Sequence, residues 1–179
     1  ELANTHQIKI PFEKYFSLIG LPFRKILSKL KIKKNNHKLF EKEYKKNSLK
    51  NIRFIKLKKG VKKTLSTLRL NNKIIGLLTS KEKSRTLKIL RKYKIKMDFV
   101  LCPHKNLYGK PNPKQINILL KKTKISKKRV VYIGDMIVDK QTANNAKIDY
   151  IHANYGYSKK KKCKYSINQI NDIISKNLG

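Results

Sequence analysis

Residues 129–139 read Arg-Val-Val-Tyr-Ile-Gly-Asp-Met-Ile-Val-Asp and carry two carboxylates four positions apart. The apolar, β-branched run that ends at Gly134 is typical of a buried parallel strand. Ligands of open α/β sheets bind just beyond the carboxyl ends of such strands. Asp135 and Asp139 therefore stand where a hard cation such as Mg²⁺ takes carboxylate, phosphate and water ligands. The pair equally fits an ordinary turn residue followed by an acid in the first turn of a helix, so both interpretations stay open here.

The charge of the chain is extreme, because 46 basic residues face 10 acidic ones and give a formal net charge of +36. Only six of the basic residues are arginine, the side chain that recognises phosphates and bases best, and no basic motif interleaved with aromatic residues is present. Lysine, isoleucine and asparagine are abundant together, which is the signature of an AT-rich coding sequence. We therefore expect no specific nucleic-acid partner, although the positive field would attract small phosphorylated substrates.

Several other classes of protein are disfavoured by the sequence. No apolar run approaches the ~20 residues of a membrane-spanning helix, and no signal-peptide pattern follows Glu1, so we expect a cytoplasmic protein without membrane contact. Cys102 and Cys163 fit no metal or redox spacing and are expected to be reduced thiols. The four histidines show no zinc-site spacing and are expected on the surface or in packing contacts. No pattern indicates an oligomeric state.

The hydrophobic periodicity divides the chain into two parts. Apolar residues recur every three or four positions up to about residue 50, which predicts a small helical unit over residues 1–55. From residue 56 onward helices alternate with short apolar strands, which predicts a doubly wound, mostly parallel α/β sheet of the Rossmann-like kind over residues 56–179. The predicted strands cover residues 73–79, 99–102, 130–133 and 150–153, and the predicted helices begin at Val61, Ser80, Pro113, Asp139 and Ser166.

Two further polar sites follow predicted strands. Thr79 and Ser80 end one strand with two hydroxyls in front of a helix, which suits a phosphate oxygen but also suits an ordinary helix cap. Residues 108–113 read Tyr-Gly-Lys-Pro-Asn-Pro, so Gly109 and two prolines hold Lys110 in a stiff turn.

The order and spacing of these sites resemble the haloacid dehalogenase-like hydrolase superfamily, and in particular its phosphoglycolate phosphatase-like branch. Residues 77–80 resemble the second motif of that family, residues 109–113 the third and residues 134–139 the fourth. Residues 154–157, Asn-Tyr-Gly-Tyr, resemble a loop common in the phosphoglycolate phosphatase branch. The helical unit over residues 1–55 resembles the family's small cap domain.

The resemblance implies a role for each site. Thr79, Ser80 and Lys110 would bind the transferring phosphoryl group, and Lys110, Asp135 and Asp139 would form the catalytic set. Asp135 and Asp139 would hold Mg²⁺, with Asp139 supporting the metal, its waters or Lys110. These roles agree with the chemistry, because phosphoryl transfer needs positioning and compensation of spread negative charge.

The sequence departs from the family at the first motif, Asp-x-Asp, which supplies the nucleophile. Residues 1–97 contain no aspartate, and the first one is Asp98. We therefore expect the nucleophilic aspartate and the first core strand to lie upstream of Glu1. The chain as given would then be incomplete and inactive in the covalent step.

Two functions follow. The first is a Mg²⁺-dependent phosphoric monoester hydrolase that acts on 2-phosphoglycolate or a sugar phosphate through an aspartyl-phosphate intermediate. The alternative is a non-catalytic descendant that binds a phosphorylated ligand or an acidic partner.

Overall fold

A computed structural model describes residues 10–104, 109–158 and 165–176. The start of the predicted helical unit, Tyr108 and Cys163 lie outside the described residues. The chain divides into two compact units, Glu1–Lys56 and Leu57–Gly179. The assignment of the first unit as a cap stays a prediction.

The first unit is helical throughout its described part. Its core contains Ile26, Leu27 and Phe40, and the rings of Phe23 and Tyr44 stack with their centroids 4.1 Å apart. The unit comprises α1 (Phe12–Ser17), α2 (Phe23–Lys29) and α3 (His37–Lys50), with 3₁₀ turns at Lys34–Asn36 and Asn51–Phe54.

The second unit alternates strands and helices as predicted. Its described strands are β1 (Gly76–Leu78), β2 (Phe99–Leu101), β3 (Val131–Gly134), β4 (Asp149–Ala153) and β5 (Ser166–Ile167). Its described helices are α4 (Val61–Leu70), α5 (Lys83–Lys92), α6 (Lys114–Thr123), α7 (Ile137–Ala146) and α8 (Asp172–Ser175), with a 3₁₀ turn at Lys127–Arg129.

Every described strand pairing is parallel. β1 pairs with β2, and β3 pairs with β4, which in turn pairs with β5. Within the described ranges, no strand pairs with the second edge of β1 or of β3. The expected first core strand therefore stays a prediction.

Helices cover both faces of the three-stranded sheet. Tyr132 packs against a cluster that includes Ile116 of α6 and Ala143 of α7. Its neighbours in β3, Val131 and Ile133, pack against the opposite cluster, which draws on α4, α8 and β5. Successive side chains of a strand point to opposite faces, so this division confirms the predicted doubly wound α/β fold.

Two predicted helix starts are wrong. The helix expected from Ser80 begins at Lys83, because the Thr79 hydroxyl accepts a hydrogen bond from the Lys81 amide (3.1 Å) and holds these residues in a turn. Ser166 belongs to β5, where it pairs with β4, and the last helix begins at Asp172. In both places a competing hydrogen bond displaces the expected cap.

None of the helices in the described ranges combines the length and apolar character that a membrane span requires.

Candidate active site

Asp139 lies in the first turn of α7, and its buried carboxylate contacts the loop between β3 and α7. This side chain folds back over Gly134, so a Cβ at position 134 would lie only 2.6 Å from Asp139 Cγ. Asp139 Oδ2 accepts a hydrogen bond from the Met136 amide (3.0 Å), as an acidic residue in the first turn of a helix commonly does. Glycine is required at 134 because of this close approach.

Lys110 is the main partner of Asp139. Its Nζ lies 2.6 Å from Asp139 Oδ1, and both side chains are buried, with 10% and 4% of their surface exposed. The loop that carries Lys110 is tied to α7, since Asn145 Nδ2 donates to the Pro111 carbonyl (3.0 Å). The Lys110 ammonium is therefore held at a fixed position by a buried carboxylate.

Tyr132 completes the surroundings of Asp139. Its hydroxyl donates to Asp139 Oδ1 over 3.0 Å. Burial, followed by the charge of Asp139, raises the pKa of Tyr132 far above its ordinary value, so the phenol stays protonated as a donor. Asp139 thus receives hydrogen bonds from three protein donors.

Asp135 makes separate contacts. Its Oδ2 accepts a hydrogen bond from the Tyr157 amide (2.6 Å), and its backbone carbonyl accepts one from the Ser158 hydroxyl. A Cβ at Gly156 would overlap the Asp135 side chain, so glycine is needed there as well. Asp135 lines a cavity of about 320 Å³ together with Lys58 and Tyr155. The segment that follows β4 therefore orients the Asp135 carboxylate, which borders the cavity.

Thr79 follows β1 directly. Its amide donates to the Leu101 carbonyl (2.9 Å), which continues the pairing with β2. Its hydroxyl oxygen accepts from the Lys81 amide, so the hydroxyl proton remains suited to donation to a ligand. Ser80 lies in the same turn.

The electrostatics of Lys81 link the three predicted segments. The pKa of Lys81 is lowered, first by desolvation and then by the charges of Arg85 and Lys110, while Asp135 opposes the shift. Lys81 follows Ser80, so the turn after β1 lies within electrostatic reach of both Lys110 and Asp135. Lys81, Arg85 and Lys110 together favour an anion at this edge of the sheet.

Several residues of the site were not predicted from the sequence. The structure adds Tyr132, Tyr150, His152 and Ser158. His152 is only 3% exposed and is a packing residue with polar contacts. The available signal was the period of two in each strand, which places Tyr132 with Gly134 and Tyr150 with His152 on one face.

The residues fit part of a Mg²⁺ site. Asp139 already receives three donors, one of them an ammonium, which suits a partner of Lys110 better than a direct metal ligand. Asp135 borders a cavity and can offer a carboxylate oxygen. No group of three or more His, Cys, Asp or Glu residues within the described ranges is placed to hold a metal ion. One protein carboxylate with phosphate and water ligands is nevertheless a usual Mg²⁺ environment, so Asp135 fits the ion and the metal role of Asp139 stays a prediction.

The sequence matches the model of one protein family. The family model described as haloacid dehalogenase-like hydrolase matches residues 2–153. A comparison with curated protein sequences found no match.

Solved structures share the fold. A protein from Bacteroides fragilis named as a haloacid dehalogenase-like hydrolase superposes with a TM-score of 0.87 at 21% identity, over 96% of this chain and 87% of that one. A predicted phosphoglycolate phosphatase from Haemophilus somnus gives 0.80 at 20% identity, over 93% and 82%. A β-phosphoglucomutase from Clostridium difficile gives 0.80 at 19% identity, over 96% and 82%.

Proposed function

Since the chain belongs to the haloacid dehalogenase-like hydrolase family, we propose that it is a Mg²⁺-dependent phosphatase acting on a small phosphorylated metabolite. 2-Phosphoglycolate is the first candidate and a sugar phosphate the second. The structural neighbour described as a predicted phosphoglycolate phosphatase supports the first choice, and the β-phosphoglucomutase supports keeping the second.

The buried pair of Lys110 and Asp139 carries this proposal. Phosphoryl transfer spreads negative charge over the phosphate oxygens, and a fixed cation stabilises that charge without reorganising. The 2.6 Å contact with Asp139 fixes the ammonium, and Lys81 and Arg85 add positive charge nearby. The site is therefore arranged to hold a phosphoryl group.

Each residue has a distinct role in the proposal. Lys110 compensates charge on the phosphoryl group, and Thr79, with Ser80 beside it, donates hydroxyl protons to its oxygens. Asp139 positions Lys110. Asp135 would hold Mg²⁺, which when bound polarises the phosphoryl oxygens and neutralises part of their charge.

The covalent step requires a further aspartate. The family's first motif, Asp-x-Asp, has no counterpart in residues 1–97, which contain no aspartate. We propose that the nucleophile of that motif lies upstream of Glu1. Its carboxylate would attack phosphorus, the ester oxygen would leave as the alcohol with a proton from the second aspartate of the motif, and water would then hydrolyse the aspartyl phosphate.

The net charge of the chain supports an anionic ligand. A chain with a net charge of +36 attracts small phosphorylated anions at a rate that falls as salt rises. We propose such a metabolite, rather than a nucleic acid or a membrane, as the partner, in a cytoplasmic setting.

The test is phosphate release by the full-length gene product with Mg²⁺ and a panel of esters that includes 2-phosphoglycolate and sugar phosphates. Turnover of at least one ester is expected. The variants Lys110→Met and Asp135→Asn should each lose about 10²–10³-fold in kcat. Lys121→Met, at an exposed lysine of α6, should match the parent enzyme.

Release of phosphate from none of the esters by a folded protein would refute the phosphatase. Binding of the same esters without turnover would instead support the non-catalytic alternative, which the absence of aspartate from residues 1–97 favours.

A further inference from the structure

We propose that His152 is a positioning residue for Asp135, because it hydrogen-bonds to the Tyr150 hydroxyl and packs against the Ser158 hydroxyl. The role of Asp135 as a Mg²⁺ ligand rests on the proposed function. The contacts of His152, Tyr150 and Ser158 with the Asp135 loop do not depend on it. His152 is buried, with 3% of its surface exposed. It makes no direct contribution to the proposed chemistry.

The register of β3 and β4 brings His152 to the loop. His152 lies opposite Gly134, the last residue of β3, and Tyr150 precedes it by two positions on the same face. The Tyr150 hydroxyl donates to the Gly134 carbonyl over 2.7 Å and lies 3.0 Å from His152 Nδ1. The first hydroxyl therefore joins the imidazole to the residue before Asp135.

Ser158 makes the second connection. Its hydroxyl donates to the backbone carbonyl of Asp135 itself and lies 3.4 Å from His152 Nε2. The imidazole thus lies between two hydroxyls that bind consecutive carbonyls, those of Gly134 and Asp135. Displacement of the ring would disturb both bonds.

Counting protons assigns the form of the imidazole. A hydroxyl has one proton, and the Tyr150 proton is used in the short bond to the Gly134 carbonyl. Toward His152 the Tyr150 oxygen can then only accept, so Nδ1 must carry a hydrogen. This bond fixes the direction in which the Tyr150 hydroxyl points. The Ser158 proton is likewise used at the Asp135 carbonyl, so Nε2, which has no hydrogen in this tautomer, only packs against the Ser158 oxygen over 3.4 Å.

Asp135 depends on such support because it precedes α7 in an extended loop. Met136, the next residue, has φ −107° and ψ 154°. The Tyr157 amide donates to the Asp135 carboxylate over 2.6 Å, so the orientation of that carboxylate depends on the backbone of the two loops. Loss of the imidazole leaves the partly buried Tyr150 hydroxyl without one of its partners, which weakens its hold on the Gly134 carbonyl and on the backbone that leads into Asp135.

The Tyr157 amide supplies a direct readout. A short hydrogen bond to a carboxylate shifts an amide proton strongly downfield, and Asp135→Asn identifies that signal in the NMR spectrum of the full-length gene product. His152→Val should move the signal toward an ordinary amide position. His152→Asn, which places a carboxamide nitrogen near Nδ1, should restore most of the shift.

Ile151→Val is the matched control, because Ile151 is buried in the same strand on the opposite face. It should lower Tm without moving the Tyr157 signal. If His152→Val leaves the signal in place, or if His152→Asn does no better than His152→Val, the positioning role is refuted. Long-range ¹H–¹⁵N spectra of the parent protein that show Nδ1 without a proton would also overturn the proposal.

None of these readouts needs turnover, so an inactive enzyme would refute the phosphatase while leaving the inference testable. In an active enzyme, His152→Val should lower kcat at least tenfold, with KM for the ester changed less than threefold.

Discussion

The ammonium of Lys110 and the carboxylate of Asp139 lie 2.6 Å apart, although 29 residues separate them in the sequence. Lys110 comes from the loop before α6, and Asp139 from the first turn of α7. A buried pair of this kind contributes little net stability compared with apolar residues, but removal of one member leaves the other charge buried. Its geometry is better suited to holding an ammonium in place than to stabilising the fold.

Lys110→Met should lower the free energy of unfolding by about 3–5 kcal/mol, because Asp139 would lose the ammonium that lies 2.6 Å from its carboxylate while staying buried. Urea unfolding measures the change. The exposed Lys121→Met should stay within about 0.5 kcal/mol of the parent. A Lys110→Met variant as stable as Lys121→Met would contradict a buried pair.

Gly156→Ala should destabilise the protein by about 1–3 kcal/mol, because the new Cβ overlaps the side chain of Asp135 and has to displace it. Gly76→Ala is the control. A Cβ at position 76 would lie 4.0 Å from Phe99 Cβ, an ordinary contact distance, and alanine loses less conformational freedom than glycine when the strand forms. Thermal unfolding of the two variants should therefore show shifts of opposite sign. Equal shifts would mean that Asp135 does not pack on Gly156.

Lys81→Met should raise Tm at neutral pH. The folded state holds the Lys81 proton less tightly than the unfolded chain, because desolvation and the charges of Arg85 and Lys110 lower its pKa. The charged form is therefore penalised at every pH below the folded pKa. The penalty shrinks as pH rises from the folded pKa toward the ordinary value of 10.5, and so should the advantage of the variant.

Inorganic phosphate gives a second check on Lys81, because an anion beside the cationic cluster would offset its repulsion. The Tm gain from phosphate should be smaller in Lys81→Met than in the parent. The exposed Lys83→Met should behave like the parent in both buffers.

The pH dependence can also contradict the prediction. If the Tm difference between Lys81→Met and the parent grows as pH rises, the pKa of Lys81 is not lowered in the folded state.

Asp172→Ala should reduce Tm at neutral pH by an amount that disappears in acid. Hydrogen bonds from the backbone amides of Gln169 and Asn168 lower the pKa of Asp172, so the folded state favours the carboxylate. The stabilisation is present above the ordinary value of 3.8 and is lost as pH falls through the lower, folded pKa. Melting curves of parent and variant between pH 7 and acid should converge.

The comparison for this prediction is Ser175→Ala, at an exposed position of the same helix with no titratable side chain. Its difference from the parent should not shrink over the acid range in the same way. If Asp172→Ala and Ser175→Ala follow the same pH course, the two backbone hydrogen bonds to Asp172 are not formed in solution.

Predictions based on local periodicity were confirmed most often. The alternation of apolar strands and helices from residue 56 onward gave the doubly wound α/β fold, because each element has its own period of two or near 3.6. Helix starts were less well predicted. The caps predicted at Ser80 and Ser166 are wrong, because a turn at Thr79 and the pairing of β5 with β4 use those residues differently.

The sequence by itself determined the fold class and singled out the segments of the candidate site, because motif spacing and hydrophobic period are properties of the chain. Only the tertiary structure decided how these segments meet. The contact of Lys110 with Asp139 depends on the packing of α6 and α7. The placement of Tyr150 and His152 beside the Asp135 loop depends on the register of β4 with β3. A shift of one residue would turn both side chains to the opposite face, and no local pattern fixes that register.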